Sequence, residues 1–370
     1  MPDSSPTRAF ETIAVSAVSS LTPLPAPPIP IVIVGAGGIV RNAHLPAYRK
    51  AGFPVAAIVD SDEPKARDLA NEFALPAASS SVANVLASAS GRLLFDVAVP
   101  TRHLLEVLSQ LPDGSAVLMQ KPMGETLAEA ENILALCRRK RLVAAVNFQL
   151  RWSPAMLAAC ALYQRGALGT LHDIEIRVST HTPWDLWTFL RSAPRLEILY
   201  HSIHYVDLIR SWLGNPSRVY AKTVRNPRTP DLAATKSILV LDYGEWMRAV
   251  IATNHGLDFA PELQHSYVQW EGTEGLLRAQ MGVNLDYPAG KPDFLLYAQR
   301  GTRITESIPL EGNWFPDAFL GSMNSLQAFV MGATRELPTS VENAIDTMRT
   351  VEAAYLSSER GGEPLPFESA

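Results

Sequence analysis

Residues 31–40 read Ile-Val-Ile-Val-Gly-Ala-Gly-Gly-Ile-Val, and this stretch restricts the fold more than any other. Four β-branched residues in a row have no polar face, so they describe a strand covered on both sides, as in a parallel sheet flanked by helices. The proline-rich segment at 22–30 keeps a helix from running into that strand. Gly35 permits a tight turn, and Gly37 leaves no side chain where an anionic group must approach the backbone. A helix is predicted over 38–51. Its first amides, at Gly38 and Ile39, and its positive dipole end face the same anion. The third position of the G-x-G-x-x-G pattern is Val40, where glycine or alanine would pack more closely, so a slightly wider helix-to-strand spacing is expected.

Glycine turns close many loops, and the next strand carries the decision. Residues 54–60 are again apolar and end in Asp60, twenty positions after Val40, where a carboxylate grips a ribose 2′-hydroxyl. That residue argues for NAD over NADP, because it repels a 2′-phosphate. Lys65 and Arg67 lie nearby on the predicted next helix. The other reading of Asp60 is a strand-end residue capping the turn at 61–63.

A chain of 370 residues exceeds one ordinary core, and at about 150 residues per domain it divides into two or three units. The formal net charge is −5, with no basic block, which argues against nucleic acid and anionic membranes as partners. Cys137 and Cys160 have no second ligand at metal spacing, so no metal site is expected, and two free thiols suit a reducing cytoplasm. Residues 1–28 lack a basic leader followed by an apolar core and are read as a flexible arm.

Beyond Asp60 the pattern alternates helix and strand. Helices are expected at 65–73, 81–89, 104–111 and 126–140, and strands at 93–99, 116–119 and 143–148. This doubly wound parallel sheet closes the first domain, 29–148. From residue 171 the rhythm changes to alternating strands at 173–180, 218–224, 237–242, 247–253, 267–271, 275–279, 294–299 and 303–308. Tyr243-Gly244-Glu245-Trp246 forms a hairpin between two of them. The second domain, 149–370, is therefore an α/β unit with an open, mostly antiparallel sheet. Such a sheet pairs with a copy of itself, giving a homodimer or homotetramer.

Several short motifs now carry a family resemblance. The Gly35 loop, Asp60, Pro100 after the fourth strand, Gln120-Lys121-Pro122, Arg151-Trp152-x-Pro154, His204-x-x-Asp207 and the tail from Pro338 together resemble the glucose-fructose oxidoreductase and myo-inositol dehydrogenase (Gfo/Idh/MocA) family over residues 29–366. The resemblance implies a Rossmann domain joined to an open-sheet domain, and oxidation of one hydroxyl of a sugar, glycoside or polyol with NAD or NADP. It also implies that Lys121 reaches between nicotinamide and substrate to hold the reacting hydroxyl. Gln120 departs from the family's Glu-Lys-Pro, which removes a carboxylate from beside Lys121 and lowers the lysine's expected proton affinity. Pro100, His103 and Gln120 are further expected cofactor contacts.

At about 100° per residue, Tyr200, His204, Asp207 and Ser211 share one stripe of a helix whose other side is Ile203, Val206, Ile209 and Leu213, and Gly214 ends it. Exposed helix faces favour Lys, Glu and Gln over Tyr and His, so the stripe is read as a site. In the family the helix reads Asp-x-x-x-His, with the histidine as base, so His204 is its counterpart and Tyr200 replaces the aspartate. An imidazole's near-neutral pKa suits that transfer. The substrate pocket is completed by Arg151, Trp152, Trp184, Trp187, Arg191, His201 and Asp207, aromatic faces against sugar C–H groups and charges on hydroxyls. The expected function is an NAD-dependent carbohydrate dehydrogenase. A lyase or glycosidase using the same hydride step transiently and a non-catalytic NAD-binding sugar sensor are the alternatives.

Overall fold

Buried side chains, apolar except for Asp96, build the strands at the centre of the first sheet, and their alternation supplies two separate cores. The computed structural model describes residues 15–16, 20–88 and 90–363. β1 (Ile31–Val34), β2 (Val55–Val59), β3 (Ala78–Ser79), β4 (Leu94–Val97), β5 (Ala116–Met119) and β6 (Val143–Val146) are all parallel, in the order 3-2-1-4-5-6. Ile31, Ile33, Leu94 and Leu118 face one core, while Val32, Val34, Phe95, Val97 and Met119 face the other. The order reverses between β1 and β4, so the carboxyl ends of the strands bring Gly35, Asp60, Pro100 and Gln120-Lys121 to one edge.

The helix after β1 starts at Gly38 as expected but is not regular. Residues Val40–His44 form a π turn before the α-helix Leu45–Ala51, and Val40 is fully buried in it. Other helix starts follow their caps. Asp62 accepts from Lys65 N at 3.3 Å ahead of Glu63–Phe73, and Thr126 Oγ1 accepts from Glu129 N at 3.2 Å ahead of Leu127–Arg139.

The second sheet has eight strands: β7 (Leu171–Ser179), β8 (Arg218–Val224), β9 (Lys236–Asp242), β10 (Arg248–Asn254), β11 (His265–Gly272), β12 (Gly275–Gln280), β13 (Phe294–Gln299) and β14 (Thr305–Ile308). Their order is 14-13-12-11-7-10-9-8, with β7 and β10 parallel and every other pair antiparallel. The predicted hairpin joins β9 to β10, with Asp242 opposite Arg248 and Gly244 at φ +92°. One face of this sheet is covered by the helices Ile203–Leu213 and Val341–Arg360. The other leaves Tyr220, Val224 and Ile238 exposed.

The strand β3, the paired strands Val15–Ser16 and Leu310–Glu311, and the helix Ala318–Val330 were not anticipated from sequence. The last returns to the first domain, where Phe319, Leu320, Met323 and Leu326 pack with Ile31 and Ile33. The N-terminal arm also needs correction. Leu21 and Leu24 pack against the same core, Asn324 Nδ2 donates to Thr22 O at 3.0 Å, and Val15–Ser16 pairs with Leu310–Glu311. Residues 20–28 thus lie on their own chain, and 1–14 and 17–19 fall outside the described residues. No helix among the described residues is long and apolar enough to cross a membrane.

Candidate active site

At the cofactor edge, Gly35 is required twice over. Its φ is +109°, and a Cβ there would stand 2.4 Å from Ala98 O. Gly37 and Gly38 are the opposite case, since a Cβ on either would meet nothing within 4 Å. That open space lies over the start of a helix whose first amides have no intrahelical partner, a cradle that a pyrophosphate fits. Half-buried Ile39 follows in the same turn. Asp60 ties this loop down: its Oδ2 accepts from Ala36 N at 2.7 Å and its Oδ1 from Asp62 N at 3.0 Å. Asp60 therefore caps its own turn and also stands at the glycine loop. Lys65 reaches back from its helix to 3.7 Å from the same carboxylate. Pro100 and His103 are exposed at this edge, with Arg102 Nε donating to His103 Nε2 at 3.2 Å.

At the centre, Lys121 leaves the end of β5 ahead of a cis bond to Pro122. Its Nζ donates to the carbonyl of Tyr200 at 2.5 Å, which ties the end of β5 to the turn Ile198–Ser202. Burial draws the Lys121 ammonium down to about 8. Gln120 turns toward His44, and burial is the cause of the Lys121 shift in this chain. His204 is buried between Phe148 and Trp314, at ring centroid distances of 6.5 and 6.0 Å. No protein group among the described residues hydrogen-bonds its Nδ1. Burial, reinforced by Lys121, pushes His204 well below the usual imidazole range, which corrects the near-neutral value expected from sequence.

Tyr200 also departs from expectation. Residues Ile198–Ser202 form a π turn ahead of the α-helix Ile203–Leu213, so the 100° count fails between Tyr200 and His204. Its hydroxyl donates to Glu125 Oε1 at 3.2 Å, and burial, then Glu125, raise the phenol further above its ordinary value. The side chain is a clasp to the loop before Leu127–Arg139; what reaches Lys121 is the Tyr200 carbonyl.

The rest of the expected pocket divides. Trp184 is buried, its ring 5.1 Å from His201 and 5.9 Å from His255 in edge-on contacts, and His201 and His255 lie 4.3 Å apart. Burial first, then His255, Lys121 and His204, lower His201 well below its usual range, which puts all four groups in one neighbourhood. Trp187 packs on Tyr287. Arg151 and Asp207, both expected on substrate, instead form a two-pronged pair with each other at 2.6 Å, and Thr347 Oγ1 adds a third bond to Asp207. Arg191 is engaged by Asp185 and Asp231. Trp152 packs against Gly321, where a Cβ would come 2.3 Å from it.

Residues 29–148 match the model of the oxidoreductase family with an NAD-binding Rossmann fold, and residues 156–278 match the GFO/IDH/MocA C-terminal domain. The chain belongs to the Gfo/Idh/MocA oxidoreductases. It is 27% identical to D-apiose dehydrogenase of Paraburkholderia graminis over 89% of this chain and 87% of that enzyme. It is also 27% identical to D-xylose 1-dehydrogenase (NADP(+)) 2 of Haloferax volcanii, over 89% and 97%. Among solved structures, an oxidoreductase from Agrobacterium radiobacter in complex with NAD+, L-tartaric acid and magnesium superposes with a TM-score of 0.74 at 19% identity, covering 90% of this chain and 97% of the other. The aldose-aldose oxidoreductase of Caulobacter crescentus, complexed with glycerol, gives 0.75 at 17%, covering 90% and 98%. In this Gfo/Idh/MocA chain, sequence reasoning passed over Glu125, His255 and Trp314. Each belongs to a segment remote in sequence from its neighbours in the site, and no local pattern marks it.

Proposed function

We propose that this protein oxidises a secondary hydroxyl or the anomeric carbon of a sugar, glycoside or cyclic polyol, with NAD as acceptor. The observation that carries the reading is one neighbourhood in which the Lys121 ammonium, held by the Tyr200 carbonyl, acts on a His204 whose Nδ1 no group among the described residues engages. Lys121 holds the substrate oxygen and stabilises the negative charge that grows on it, and His204, uncharged at neutral pH, takes the hydroxyl proton. The bound nicotinamide supplies the hydride-accepting carbon. Gly35, Gly37, Gly38 and Ile39 would hold its pyrophosphate, and Asp60 the adenosine ribose. Trp184, His201 and Trp187 line the side from which a sugar enters, where aromatic faces suit its C–H groups. The named activities of the two dehydrogenase relatives support the substrate class.

The test is steady-state NADH formation across a panel of aldoses, glycosides and cyclic polyols. Turnover with at least one of them, falling at least about a hundredfold in Lys121→Met with NAD affinity kept within a few-fold, is expected. An NAD-saturated protein silent across the panel overturns the reading. The exposed apolar face at Tyr220, Val224 and Ile238 further supports a homodimer or homotetramer built on the open sheet, and a monomeric mass in solution would refute that part.

A further inference from the structure

Gln120 stands beside the proposed catalytic lysine, yet its side chain points away from the cleft into a fully buried line of polar groups. Gln120 Oε1 accepts from the backbone N–H of Lys121 at 3.2 Å, and Gln120 Nε2 lies 2.8 Å from His44 Nε2. His44 Nδ1 lies 2.6 Å from Asp96 Oδ2, which also accepts from Tyr48 Oη at 2.7 Å. His44, Tyr48 and Asp96 have no exposure to water, and Phe319 covers the imidazole at a centroid distance of 4.9 Å. His44 closes the π turn that follows the glycine loop, so this line joins the cofactor cradle to the lysine.

The direction of every bond follows from one donor that cannot reverse. A backbone N–H only donates, so the atom of Gln120 facing Lys121 is the oxygen, and the amide nitrogen faces His44. Gln120 therefore donates to His44 Nε2, which carries no proton. The ring proton sits on Nδ1 and is given to Asp96. The other tautomer would set two donors against each other, either at His44 or at Lys121.

We propose that His44 is a positioning residue of this site, a neutral Nδ1-protonated imidazole clamped between Asp96 and Gln120 that holds the Gln120-Lys121 turn and so aims the lysine. The inference rests on the role given to Lys121 above. Its consequence is that Gln120 is matched to His44. A glutamate there has no proton to give, so the histidine between two carboxylates would have to take up a second one. Asp96→Asn keeps an oxygen acceptor for Nδ1–H, whereas Asp96→Leu and His44→Phe leave buried groups unpaired.

The test has one arm that needs no turnover. In protein carrying 15N-labelled histidine, bound to NAD at neutral pH, long-range proton-nitrogen spectra should show His44 protonated at Nδ1 alone, and at both nitrogens in Gln120→Glu. A wild-type His44 protonated at Nε2, or at both positions, overturns the proposal whatever the substrate proves to be. In the kinetic arm, His44→Phe should lower kcat at least about tenfold with the KM for NAD within threefold, because the lysine is displaced while the cradle remains. Asp96→Asn should keep most of the wild-type kcat. Loss of thermal stability in His44→Phe with kcat unchanged, or an Asp96→Asn variant as impaired as Asp96→Leu, would leave His44 a packing residue. A wild-type protein with no turnover on any sugar fails the functional reading separately, and the tautomer still decides the inference.

Discussion

Raising the pH should switch this enzyme off through Lys121. Burial draws the lysine from its ordinary 10.5 to about 8, and at ~1.4 kcal/mol per tenfold this is about 3 kcal/mol of hydration lost by the charged form. The proposed role needs the ammonium, which is roughly 90% populated at pH 7 and roughly 10% at pH 9 for such a group. With NAD saturating, kcat/KM for the sugar should hold to about pH 7.5 and then fall toward tenfold per pH unit. On the acid side, the base must be uncharged. His204 lies well below the ordinary imidazole value, so activity should persist through pH 6 and fade only at lower pH. Initial rates of NADH formation at constant ionic strength give the profile. Lys121→Arg keeps a charge at every accessible pH, so the alkaline fall should vanish whatever the residual rate. His204→Ala should remove the plateau itself. A profile that rises through pH 8 to 9 would mean that the neutral amine is the base and refute the assignment. An alkaline fall that survives in Lys121→Arg would give that limb to another group.

Three further outcomes follow from the geometry. Tyr200→Phe removes one partly buried bond to Glu125 and should cost about 1 kcal/mol of stability or less, with kcat/KM within about threefold. A tenfold kinetic loss would put the phenol on the substrate after all. Arg151→Met takes two of its three hydrogen bonds from Asp207, whose side chain is 1% exposed, and should destabilise by about 3 kcal/mol in denaturant titration; a loss below about 1 kcal/mol would mean that the pair is not the clasp described here. Wild-type protein should use NAD more efficiently than NADP. Asp60→Ala, which leaves Lys65 facing the ribose without its carboxylate, should lower that ratio at least about tenfold, and an unmoved ratio would show that Asp60 serves the glycine turn alone.

The glycine-loop edge of the Rossmann domain was legible because its logic is local. β1, the glycine turn and the helix start are consecutive residues, and Asp60 ends the adjacent strand, so spacing along the chain stands in for distance in space. Alternating strands in the second domain are legible for the same reason, since a period of two is a property of neighbours. Lys121 could be placed at a strand end, and hence at the ligand-binding edge, from pattern alone.

The substrate half was less legible. A helical count put Tyr200 in line with His204 and Asp207, but π turns at Val40–His44 and Ile198–Ser202 widen two helices by a residue where the site histidines enter, and that is decided by what packs against them. Arg151 and Asp207 are 56 positions apart and read as two separate substrate contacts; only the closed domain junction shows that each satisfies the other. Trp314 and His255 come to the site from loops with no motif, and Gln120 finds His44 across 76 residues. What the sequence by itself determined was the class of each domain, the dinucleotide edge and the residues able to do acid-base chemistry. Tertiary structure decided which of those are engaged by other groups, and in which direction burial moves their proton affinity. Proton affinity and hydrogen-bond occupancy depend on desolvation and on partners distant in the chain, and neither leaves a periodic trace in the order of residues.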